Sequence, residues 1–170
     1  MTSIDIRVAD LSDPAVRSLV SDLDGYLAGL YPAESNHGLP LSALQADDVR
    51  FVTAELEGRP VGCAALRLDT AYGEVKRMFV LPETRRAGIG RALLTHLERL
   101  ALAEGLPCLR LETGVAQPEA LGLYEAAGFF RISPFPPYRP DTLSVFMEKA
   151  LAPCAAAEVE PRLERSGSWP

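Results

Sequence analysis

Two carboxylates, a basic glycine-containing turn and a tyrosine are the groups in this sequence with chemistry within reach. The run 73–94 reads GEVKRMFVLPETRRAGIGRALL. Glu74 opens a strand-like stretch that Pro82 stops. The turn 83–87 carries Arg85 and Arg86, and Gly88 and Gly90 then open an amphipathic helix with Arg91 in its first turn. The first N–H groups of a helix have no internal partner and carry partial positive charge. Glycines let a ligand approach that backbone closely, so strand, basic turn and helix start together suit a pyrophosphate. Contact with a phosphorylated cofactor is therefore expected from Arg85, Arg86, Ala87, Gly88, Ile89, Gly90 and Arg91. The carboxylates Glu74 and Glu112 can each take a proton from an ammonium group, and Tyr124 carries a phenol with an ordinary pKa of about 10.

The six residues Arg85-Arg86-Ala87-Gly88-Ile89-Gly90 fit Arg/Gln-x-x-Gly-x-Gly/Ala. This resembles the signature of the GNAT N-acetyltransferase superfamily. A second run, Leu123-Tyr124-Glu125-Ala126-Ala127-Gly128-Phe129, resembles that family's later LYxxxGF helix end. The resemblance covers most of residues 4–149. It implies that the turn holds the pyrophosphate of acetyl-coenzyme A. It also implies that the backbone of Met78, Phe79 and Val80 pairs with the pantetheine arm, which Gln117 could hydrogen-bond. Glu74 stands where the histone-type enzymes carry a general base, and Tyr124 where a general acid protonates the leaving thiolate. Glu112 is a second base candidate. Tyr31 and His37 lie in YPAESNHGL, which resembles one subgroup of small bacterial acetyltransferases, and with Arg77 and Glu112 they are expected to bind the acceptor. The implied reaction is acetyl transfer from acetyl-coenzyme A to a primary amine of a small molecule, amino-acid-like or otherwise, with no metal. A protein or peptide amine as acceptor, a non-catalytic acyl-coenzyme A sensor, and a nucleotide-cofactor enzyme such as a methyltransferase stand as alternatives. Against the last, Leu93 occupies the third glycine position of a dinucleotide fingerprint and is too large for the helix–strand packing assigned there.

Each candidate also has a plainer reading. Glu74 could be a strand-end charge paired with Lys76. Tyr124 could be a core aromatic with a hydrogen-bonded tip. Lys76 and Arg77 are unusual in a central strand. Consecutive strand residues point to opposite faces, so one charge is expected on each side of the sheet. Each then needs a partner, because an unpaired buried charge is costly. Glu74, Glu112 or a substrate carboxylate could serve.

The elements that must position these groups follow from periodicity. Residues 4–8, 50–56, 60–68, 74–81, 106–112, 129–132 and 142–149 read as strands, with Glu57-Gly58-Arg59 as a hairpin turn. Helices are expected from Asp13 to Leu30, from Gly88 to Gly105 and from Pro118 to Gly128, with a short helical turn at 42–46. The fold class is mixed α/β. The resemblance makes it a GNAT-like, largely antiparallel central sheet of six to seven strands flanked by about four helices. Residues 1–150 form one domain, and 151–170 read as a flexible tail without a core pattern.

The chain has 170 residues and a net charge of −6. The segment 74–91 holds five basic and two acidic residues, a local excess of +3 on an acidic protein. That suits one small anionic ligand and disfavours nucleic acid. No apolar run approaches a membrane span. The start, MTSIDIRVAD, lacks a signal-peptide pattern, and three cysteines without metal-like spacing read as reduced thiols. A cytoplasmic protein without membrane partners is expected, and a homodimer is left open.

Overall fold

The computed structural model describes residues 3–151, so the expected tail beyond 151 lies outside the described residues. A seven-stranded sheet forms the middle layer, in the order β1-β2-β3-β4-β5-β7-β6. The strands are β1 (Ile4–Val8), β2 (Val49–Leu56), β3 (Arg59–Leu68), β4 (Gly73–Val80), β5 (Cys108–Gly114), β6 (Phe130–Ile132) and β7 (Ser144–Ala150). All neighbours pair antiparallel except β4 and β5, which run parallel. Helix α1 (Pro14–Leu30) packs on one face, and α2 (Ile89–Ala103) and α3 (Pro118–Ala126) on the other. The expected strands and helices are thus present. The short helical turn expected at 42–46 is a 3-10 helix, Leu41–Gln45, so among the described residues three α-helices and not about four flank the sheet. Only five residues separate Pro40 from Ala46, too few for a stable α-helix between proline and strand.

Two helix ends show why the boundaries fall where they do. At the end of α2, Gly105 has φ +74°. The N–H of Leu106 bonds back to Ala101 at 2.9 Å and that of Gly105 to Leu102 at 3.0 Å, a Schellman closure. Leu106 is thereby committed to the cap and Pro107 has no donor. Strand β5 consequently begins at Cys108, later than periodicity alone suggests. The end of α3 repeats the motif. Gly128 has φ +95°, Phe129 N bonds to the Tyr124 carbonyl at 3.0 Å, and Gly128 N to that of Glu125 at 3.0 Å. The apolar contact that accompanies this cap is between Phe129 and Tyr124, whose rings meet edge-on at 5.8 Å. The Leu-Tyr-x-x-x-Gly-Phe run is thus a helix stop that fixes the Tyr124 ring.

Two features of β4 open the centre of the sheet. Its pairing with β5 covers only Gly73–Val75 against Leu109–Leu111. Beyond that the two strands part. Against β3, Cys63 pairs with Phe79 and Ala65 with Lys76, so Arg77 and Met78 together oppose Ala64. This is a β-bulge, and Arg77 at φ +54° is its left-handed residue. One core cluster takes Val75, Met78 and Val80 with Ile89, Leu93 and Leu97 of α2. The other takes Phe79 with Leu19, Val20 and Leu23 of α1.

Candidate active site

The cleft between the parted strands is lined by Val75, Lys76, Arg77 and Met78 on the β4 side and by Glu112, Thr113 and Gly114 on the β5 side. Tyr124 and Gln117, with Leu23, Leu27 and Tyr31 of the α1 region and the segment 35–38, complete the lining. Of the expected site residues, Met78, Gln117, Tyr31, His37, Arg77, Glu112 and Tyr124 therefore meet in one place. Glu74 does not line it.

At one mouth lies the turn 85–91. Arg86 has φ +64° and Gly88 φ +82°, so two left-handed residues bend the chain into the start of α2. No side chain caps that helix start, and no acidic residue sits in its first turn. A Cβ added at Gly88 would meet nothing within 4 Å. Uncapped N–H groups facing open space, with Arg86 and Arg91 exposed beside them, fit a phosphate group. Ile89 is buried in the core and anchors the helix. Gly90 lies so close to Leu123 of α3 that a Cβ there would approach Cδ2 to 2.9 Å. Arg85 has a structural share: its Nε donates to the Val80 carbonyl at 3.2 Å and its Nη1 pairs with Glu119 at 3.0 Å. Arg85 thus ties the turn to β4 and α3. Ala87 is exposed, and Phe79 is buried against α1.

The two carboxylates differ in surroundings. Glu74 is buried, accepts a short hydrogen bond from the Tyr138 hydroxyl, and lies 3.3 Å from Lys76 Nζ. Its other oxygen is 3.9 Å from Arg67 Nη1. The plainer reading, an ion pair with Lys76, is what the geometry shows. Glu112 lines the cleft and is held by the Ser144 hydroxyl, which donates to Oε1 at 2.6 Å. Among the described residues it has no ion-pair partner. Position along the sequence favours Glu74, whereas Glu112 is the one of the two that lines the cleft.

Tyr124 is buried, and that burial raises its pKa, with the nearby Glu112 charge acting in the same direction. The phenol stays protonated well into alkaline solution. Tyr31, at the end of α1, has its own pKa raised by burial first. Its hydroxyl accepts from Ala116 N at 3.1 Å and donates to Gln117 Oε1 at 3.4 Å. Gln117 Oε1 also accepts from Gly114 N at 3.3 Å. Tyr31 and Gln117 therefore lock α1 to the β5–α3 corner.

Lys76 and Arg77 depart from the expectation of one charge per face. The bulge turns both towards the α1 side. Lys76 Nζ donates to the His37 carbonyl at 2.9 Å and to the Tyr138 hydroxyl. Arg77 Nε donates to the Leu39 carbonyl at 2.6 Å, and its Nη1 pairs with Asp24. Neither finds Glu112. Arg77, expected to bind the acceptor, has its guanidinium committed to protein partners. Exposed His37 meets Tyr138 edge-on at 5.4 Å.

Tyr138, Asp24 and Ser144 were not singled out by sequence. Tyr138 and Phe135 stand in the proline-rich loop 133–140, where two aromatics three residues apart were the available signal. Phe135 packs on Tyr72 and Phe146 and seats that loop.

The chain is built like an acyltransferase that uses an acyl-coenzyme A donor, and comparison with known proteins agrees. The profile described as "Acetyltransferase (GNAT) family" matches residues 14–129. The chain belongs to the GNAT acetyltransferase family and is an acetyl-coenzyme A-dependent acyltransferase. It is 52% identical over 147 residues to a protein of Azospirillum brasilense named IAA acetyltransferase, covering 85% of this chain and 95% of that one. A candidate acyl-CoA N-acyltransferase structure from Klebsiella pneumoniae is 34% identical with a TM-score of 0.72, covering 89% of this chain and 99% of that one. The PaiA N-acetyltransferase of Thermoplasma acidophilum, solved with coenzyme A, shares the fold with a TM-score of 0.68 at 22% identity, covering 87% of this chain and 99% of that one. Among the described residues no helix is long and apolar enough to cross a membrane, and no group of three or more metal-ligating side chains occurs.

Proposed function

We propose that the protein acetylates a primary amine of a small molecule, with its catalytic groups in the β4–β5 cleft. The observation that carries the proposal is the meeting of a cleft carboxylate without a basic partner among the described residues, Glu112, and a buried phenol, Tyr124, at the open end of β4. The phosphate end of acetyl-coenzyme A is assigned to the turn 85–91. The pantetheine is assigned to the side of β4 beyond Val75, where pairing with β5 has ended, near Gln117.

Each residue then has one task. An amine of pKa near 10 arrives protonated at neutral pH, and Glu112 is placed to accept its proton, directly or through water. Ser144 holds the carboxylate in place. Once the nitrogen has attacked the thioester carbon and the carbon–sulfur bond breaks, the acylated nitrogen releases its surplus proton, which through water restores the proton donor, and the leaving thiolate needs a proton. Tyr124 supplies one, because burial keeps its hydroxyl protonated until a strong base is beside it. Glu74, ion-paired within the wall, is assigned support of that wall.

The test is a screen of primary amines with acetyl-coenzyme A, read by release of free thiol. The panel includes amino acids, polyamines and peptides with free N-termini, and IAA, for which the Azospirillum brasilense relative is named, is assayed beside it. Turnover of small amines at rates well above peptides supports the proposal. Preference for peptides moves the acceptor to a protein segment. Tight acetyl-coenzyme A binding without turnover of any acceptor supports the sensor reading instead.

A further inference from the structure

Both the backbone and the side chain of Arg77 are fixed by features unusual in a central strand. The backbone sits at φ +54°, a region that side chains other than glycine's rarely occupy. The guanidinium is buried, with Nε and Nη2 both donating to the single carbonyl of Leu39 and Nη1 pairing with half-exposed Asp24 of α1. The residue before it, Lys76, donates to the carbonyl of His37 at 2.9 Å. Two consecutive side chains of β4 thus grip the backbone of 37–39, whose neighbours Ser35 and Asn36, with His37 and Gly38, line the cleft. The grip depends on the bulge. In an unbroken strand Arg77 would point towards α2, away from this segment.

We propose that Arg77 is a positioning residue that holds the segment 35–39 as the acceptor-side wall of the cleft, and that it does not itself bind the acceptor. Two N–H groups on one carbonyl need the planar fork of arginine, which a lysine ammonium cannot reproduce. Asp24 supplies the counter-charge that a buried guanidinium requires. The assignment rests on the proposed function only in calling this wall the acceptor side.

The test compares the parent with Arg77→Gln, Arg77→Lys and Asp24→Asn. Asp24→Asn leaves the buried side chain in place and keeps the question open to measurement if Arg77→Gln does not fold. In Arg77→Gln, amide exchange across 33–41 should accelerate by about tenfold while exchange across 85–91 stays as in the parent. Arg77→Lys should fall between, and Asp24→Asn should move the same way by less. The sequence contains two histidines, so proton NMR separates them, and the His37 ring signals should shift or broaden while those of His96 stay put. Affinity for acetyl-coenzyme A should stay within about twofold. For every amine that the parent acetylates, KM should rise about tenfold with kcat nearly kept, whether or not the amine bears a carboxylate. Two results overturn the proposal. One is unchanged exchange across 33–41 in Arg77→Gln. The other is a loss confined to carboxylate-bearing amines, which makes Arg77 a substrate ligand. Failure of every amine with the parent defeats the proposed function, whereas exchange and NMR still decide the grip.

Discussion

The two ends of the cleft are built in opposite ways. The proposed coenzyme end is local: one turn of consecutive residues, two left-handed backbone conformations and the uncapped start of α2. Its polarity comes from backbone N–H groups and exposed arginines. The proposed acceptor end is assembled from α1, the segment 35–39, the β4 bulge, β5 and the 133–140 loop. Its charges are mostly neutralised before any ligand arrives, Lys76 by Glu74 and Arg77 by Asp24. The coenzyme end presents bare groups to a ligand that is always an anion. The acceptor end hides most of its charge in its own walls and leaves Glu112 as the cleft carboxylate without a basic partner among the described residues.

That contrast can be broken at several points. The largest effect is expected where the two ends meet. Tyr124→Phe should lower turnover by ~10²–10⁴ while acetyl-coenzyme A affinity stays nearly intact, as stopped-flow rates and calorimetry would show. Poorer thiol leaving groups should suffer more. An unchanged rate with chemistry limiting would leave Tyr124 as a packing residue.

Glu112→Gln should cost a comparable factor at neutral pH and recover as pH rises, because solvent then removes the ammonium proton. Glu74→Gln should show a smaller loss without that recovery. A pH–rate profile in which Glu74→Gln alone recovers would return the base to Glu74.

At the coenzyme end, Arg86→Glu or Gly88→Asp should weaken acetyl-coenzyme A binding by about tenfold or more, since each puts a carboxylate where a phosphate belongs. Parent-like binding isotherms for both would place the phosphates elsewhere.

Gly114→Ala tests the acceptor end by crowding. The added Cβ would lie 1.8 Å from the Tyr31 hydroxyl, so the ring must leave its seat. A loss of about 1–3 kcal/mol is expected in urea unfolding, and a parent-like midpoint would show that Tyr31 is not held there.

The smallest effect is a pH slope. Burial pushes the Cys63 thiol up to about 12 from an ordinary 9.0. The native state then holds this proton more tightly than the unfolded chain, so the contribution is full below about pH 9 and is lost as pH rises from 9 towards 12. Cys63→Ala should flatten the fall in stability over that window. An identical slope in both proteins would assign it to the buried tyrosines alone.

Legibility from sequence followed the same division. The turn at 85–91 could be read because its properties depend on neighbours in the chain: a strand stop at Pro82, arginines, glycines and a helix start. The seat of Tyr124 could be read because Gly128 announces the helix end. The ranking proposed for Glu74 and Glu112 could not. It turns on where β4 and β5 part, and parallel pairing between strands joined by a helix leaves no local mark. Lys76 and Arg77 misled because alternation presumes an unbroken ladder, and an arginine in the left-handed region gives no warning. Tyr138 was passed over because proline-rich loops lack the periodicity that reveals a buried face.

The bulge has a consequence for how the chain can change length. It divides β4 into two stretches of opposite phase. Before Arg77, even-numbered Lys76 faces α1. After it, even-numbered Met78 and Val80 join the α2 cluster and odd-numbered Phe79 joins that of α1. Removing Arg77 would bring the two stretches into step and leave Met78, Phe79 and Val80 on their present faces, since Lys76 and Met78 already point to opposite sides. What such a deletion would take away is the guanidinium that holds the Leu39 carbonyl. In this strand a single extra residue adds one side chain to the cleft wall and leaves the core on both sides as it was.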